Sequence, residues 1–110
     1  MATESNSFEI ILKALIEDFG GPEIFSEENY SRLNKALMSL DDSLHKDWLL
    51  IANMKHIPQK MYEVMDASED DKQIVAKKCK RSLVALIFNE GLCEVIVFQF
   101  IRILWNETSF

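Results

Sequence analysis

The chain has 110 residues, of which 48% are apolar and 27% charged. That balance excludes a disordered chain and fits one domain spanning residues 1–110, with enough apolar residues for one core. The net charge of −6 disfavours general nucleic-acid binding, because an acidic surface repels phosphate backbones. With three glycines and two prolines, the chain is too poor in breakers for a turn-rich barrel and suits helices with short connections.

The first helix is expected to start near Asn6, which can cap it with Glu9 reaching back. Phe8, Ile11, Leu12, Leu15, Ile16 and Phe19 then recur at the helical period, and Gly20-Gly21-Pro22 ends the run. Ser26 is the expected cap of a second helix, with Glu27 and Glu28 at its positive end and a Phe25–Tyr30 staple. Tyr30, Leu33, Leu37 and Leu40 form its apolar seam. Asp41-Asp42-Ser43 breaks that seam and can cap a third helix carrying Leu44, Trp48, Ile51 and Ala52. Pro58 suits the first position of a short helix, although residues 44–65 also read as one kinked helix. Ser68 with Asp71 resembles a capping box opening a long helix, with Ile74, Val75, Cys79, Leu83, Leu86 and Ile87 inward and Gly91 as its stop. Residues 92–105 are apolar nearly all round, which predicts a helix at the centre of a bundle. The β-formers between Val95 and Ile101 offer a strand as the rival, but no second clear strand is present to pair with it. The expected fold is therefore all-α, a compact five- or six-helix bundle.

Nothing in this pattern suggests catalysis, and no cofactor is expected. The soft metal ligands are His45, His56, Cys79 and Cys93, in no metal-binding spacing. The cysteines fall in apolar periodic segments, as buried free thiols do. Lys78, Lys80 and Arg81 flank Cys79 but largely face elsewhere, so an activated thiol is not expected. The acidic pairs Glu27-Glu28, Asp41-Asp42 and Asp70-Asp71 open helices, where the helix dipole accounts for them. Gly20-Gly21 runs into Pro22 and Glu23 rather than a phosphate cradle.

The start of the sequence has no basic and apolar leader pattern. The longest apolar stretch, residues 92–105, is short of the roughly 20 residues a membrane span needs. The expectation is a cytoplasmic protein without a membrane partner. Its partner is expected to be another protein, including a second copy of itself. Residues 1–71 carry 15 acids against 6 bases, whereas residues 72–110 carry 3 against 6. Lys77, Lys78, Lys80 and Arg81 form a basic run that reads either as a solvated helix face or as a docking patch for an acidic partner. The complementary candidates are Glu27, Glu28, Asp41 and Asp42, with Trp48 as a candidate interface aromatic. The alternative is a small acidic inhibitor or immunity-type protein that blocks a basic enzyme surface.

Leu15-Ile16-Glu17-Asp18-Phe19-Gly20, Glu23-Ile24-Phe25, Tyr30-Ser31-Arg32-Leu33 and Leu37 form a pattern that continues through Asp41-Asp42, Trp48-Leu49-Leu50 and Ile57-Pro58. Over residues 10–104 it resembles small bacterial helical adaptor modules of the death-like or effector-associated kind. The resemblance implies a non-enzymatic adaptor in bacterial signalling or defence and carries over no catalytic residue. Those modules are appended to larger proteins, so the expectation here is either an excised domain or a free-standing adaptor.

Overall fold

Residues 4–41 and 43–105 are described by the computed structural model. Among them run six α-helices and no strand: α1 (Glu4–Phe19), α2 (Tyr30–Met38), α3 (Ser43–Met54), α4 (Ile57–Glu63), α5 (Glu69–Ile87) and α6 (Glu90–Phe100). A π-helical turn, Ile101–Trp105, completes the path. The Cα radius of gyration is 12.8 Å, near the roughly 13 Å of a folded chain this long.

Helix α1 starts at Glu4, which places Asn6 inside the first turn rather than at its cap. Phe8, Leu12 and Leu15 are buried, as their spacing requires. Gly20 ends the helix with φ +101°, and its N–H donates to the Ile16 carbonyl at 2.9 Å. A side chain at that φ is strained, so glycine is the residue this stop needs.

Ser26 does not cap α2. It separates two short 3-10 turns, Pro22–Phe25 and Glu27–Asn29. Asn29 Nδ2 donates to the Glu23 carbonyl at 2.9 Å and to Ser26 Oγ at 3.1 Å. That side chain holds the turns together, so α2 begins only at Tyr30. Instead of stapling to Tyr30, Phe25 meets Phe100 edge-on at 5.5 Å, while Tyr30 stacks on His56 at 4.6 Å. Tertiary partners here replace a local contact.

The region 44–65 forms two helices. His56 breaks it in the left-handed conformation, φ 59°, and Pro58 takes the second position of α4, after Ile57. Three buried or half-buried amides tie α2, α3 and α4 together. Gln59 Nε2 donates to Asn53 Oδ1 at 2.9 Å, and Asn53 Nδ2 donates to Asn34 Oδ1 at a longer 3.4 Å. Buried amides need partners, and these partners also fix the packing register of three helices.

Helix α5 opens as its capping pattern predicts, with Ser68 Oγ accepting from the Asp71 N–H at 3.2 Å. Its buried line is Ala76, Cys79 and Leu83. Ile74 and Leu86, expected inward, are exposed instead, because they flank that line at the edge of the apolar stripe. Gly91 does not end α5. Phe88 does, in the left-handed conformation with φ 59°. Asn89 then caps α6, its Oδ1 accepting from the Leu92 N–H at 3.0 Å, so Gly91 falls within the first turn of α6.

Helix α6 packs against α1, α4 and α5. It buries Leu92, Cys93, Ile96, Val97, Gln99 and Phe100, and residues 95–100 are helical rather than extended. The π turn beyond it carries Trp105 back to α4, where Nε1 donates to the Met61 carbonyl at 3.0 Å. Arg102 Nη1 lies 3.4 Å from Glu9 Oε1 and ties this turn to α1.

Phe88 combines a strained backbone with a ring that is 85% exposed. Phe88→Gly is expected to raise stability by about 0.5–1 kcal/mol, since glycine removes the left-handed penalty and little packing is lost. Urea denaturation checks this, and a lower midpoint would show that the ring stabilises the corner.

Candidate interaction surface

The basic run on α5 divides into two parts. Lys77, Lys78 and Arg81 are exposed and have no ion pair among the described residues. Lys80 instead turns toward α6, where Nζ lies 3.1 Å from Glu94 Oε1 and 3.3 Å from Glu90 Oε2. The hydrogen bonds that the Lys80 ammonium donates to Glu94 and Glu90 hold it above its ordinary pKa. One of the four cations is thus engaged within the fold, and three face outward.

The expected acidic counterparts lie on other elements. Glu27 Oε2 sits 3.1 Å from His56 Nδ1. Glu28 and Asp41 are exposed, and Asp42 lies outside the described residues. Trp48 is half-buried and packs against the core. The structure brings together the α5 cations but does not gather all the proposed partner-binding residues into one site.

A cleft of about 480 Å³ lies between α5 and α6. Gly91, Glu94, Val95, Phe98 and Ile101 line it from the α6 side and the adjoining turn, and Ala76, Lys77 and Lys80 from α5. The near-total apolarity of residues 92–105 was the signal for it in the sequence. Three helices cover α6, yet Val95 and Phe98 remain only half-buried. Which stripe stays open depends on the packing and is not visible in the sequence pattern.

The two cysteines are buried free thiols. Burial pushes the Cys79 thiol up to about 11, only partly offset by the Lys60 ammonium. Cys93 is likewise raised by burial. Such thiols are held in the neutral form, opposite to what a nucleophile needs. His45 meets the Phe8 ring edge-on at 4.7 Å, and His56 is engaged by Glu27 and Tyr30. Among the described residues no three His, Cys, Asp or Glu side chains form a metal-binding group. No helix among them is long and apolar enough to cross a membrane.

The fold is that of an all-α bundle with an apolar cleft beside a cationic helix face. Comparison with models of protein families, with curated proteins and with solved structures found no match.

Proposed function

We propose that the chain is a non-enzymatic, cytoplasmic protein-interaction module, an adaptor of the bacterial signalling or defence kind that its leucine spacing resembles. It associates with a second copy of itself through the outer face of α5. The observation that carries this reading is the set of three outward cations, Lys77, Lys78 and Arg81, without ion pairs among the described residues of a chain with net charge −6. Glu28 and Asp41, exposed on the opposite half of the sequence, supply carboxylates of the complementary sign. A contact between unlike faces is heterologous, and it builds a ring or an open chain of copies.

The triple variant Lys77→Glu, Lys78→Glu, Arg81→Glu tests this by sedimentation velocity across a concentration series. Exposed pairs contribute roughly 0.2–1 kcal/mol each, so self-association is expected to weaken about tenfold, with a similar loss at high salt. A monomer at every concentration and salt overturns self-association. The acid excess of residues 1–71 would then favour the inhibitor of a basic enzyme surface.

A further inference from the structure

Helix α6 is apolar on more sides than the bundle covers. Packing by α1, α4 and α5 leaves Gly91 exposed and Val95 and Phe98 half-buried along the cleft, while Ile101, which also lines it, is buried. The first three positions advance by four and then three residues, the spacing by which one helix meets another. At 1.5 Å per residue the stripe they form runs roughly 10 Å, about two helical turns. Charge sets the chemistry of what fits. Lys77 lines the cleft, exposed and with no ion pair among the described residues. The two carboxylates on the α6 wall, Glu90 and Glu94, are already paired with Lys80.

We infer that the α5–α6 cleft binds one amphipathic helix of a partner protein, with apolar residues at i, i+3 or i+4 and i+7 and carboxylates along the flank that meets Lys77. Such a helix completes the packing of α6 and gives Lys77 its counter-ion, two needs that a purely charged partner does not meet together. The inference rests on the protein-interaction reading but not on self-association.

The test is an amide chemical-shift titration of the isotope-labelled chain with a synthetic three-turn helical peptide that carries leucines at this spacing and glutamates on its flanks. Saturable shifts are expected at Ala76, Val95, Phe98 and Ile101, with lysine-flanked peptide binding at least tenfold more weakly. Lys77→Glu is expected to weaken binding at least fivefold. Gly91→Leu blocks the cleft without a packing conflict, since a Cβ there meets only Asn89 Oδ1, at 3.6 Å. It is expected to abolish the shifts while the thermal melt stays intact. No saturation up to millimolar peptide, shifts elsewhere, or equal binding of the lysine-flanked peptide overturns the inference. So does dodecanoate filling the cleft while the peptide stays inert. A monomeric chain that still binds the glutamate-flanked peptide overturns self-association alone, and a self-associating chain whose cleft amides do not move overturns this inference alone.

Discussion

Replacing Phe100 with alanine is expected to lower the unfolding free energy by about 3–5 kcal/mol, the range for deleting a fully buried aromatic side chain. Phe100 is 1% exposed and lies where α6 meets the turn after α1. Its ring stands at 87° to Phe25, 5.5 Å between centroids, an edge-to-face pair that adds roughly 0.5–1.5 kcal/mol to area burial. A domain of this size has about 5–15 kcal/mol in total, so the variant loses a large share of its stability. Phe98, two residues earlier and half-buried on the cleft, is the control. Its truncation removes fewer contacts and is expected to cost under half as much. Urea denaturation of both variants decides the matter. Equal losses would mean that the cleft side of α6 is as well packed as the core side.

The second large effect is a loss of stability in alkali that belongs to Cys79. In the folded chain burial holds this thiol neutral up to about 11, whereas an exposed thiol ionises near its ordinary value of 9.0. The unfolded state therefore releases its proton first as pH rises. The stabilisation is complete below about pH 9 and is lost as pH climbs through 11. Two pH units correspond to roughly 2–3 kcal/mol, and burial of Cys93 adds in the same direction. Lysines and tyrosines titrate in this range too, so the informative quantity is the difference between the native chain and Cys79→Ala. The alanine variant is expected to be the less stable one near neutral pH, through lost packing. That gap is expected to narrow or reverse between pH 9 and 11. A gap that stays constant would place the thiol in contact with water.

Helix periods, caps and breakers were legible because they act locally. The α1 stripe from Phe8 to Phe19, the Gly20 stop and the Ser68 cap all depend on residues within one or two turns. The helical state of residues 95–100 follows from the lack of any strand partner, a property of composition. The misplaced boundaries have a common cause. Asn29 reaches back to Glu23 and Ser26 and delays α2. Asn89 caps α6 ahead of Gly91, so the left-handed turn falls on Phe88. In both cases an asparagine side chain competes with the more obvious serine or glycine signal.

Taken by itself, the amino-acid sequence determined an all-α chain with charged outer faces, because periodicity and charge need no knowledge of neighbours. It also marked Lys77–Arg81 as a cationic segment. Only the tertiary structure decided that Lys80 is spent on Glu90 and Glu94 while Lys77 borders a cleft. It likewise decided that Asn53 and Gln59 are paired within the core and that one stripe of α6 is left uncovered. Each of these depends on which helices meet, and helix–helix contacts are set by side chains far apart in sequence, which no local pattern records.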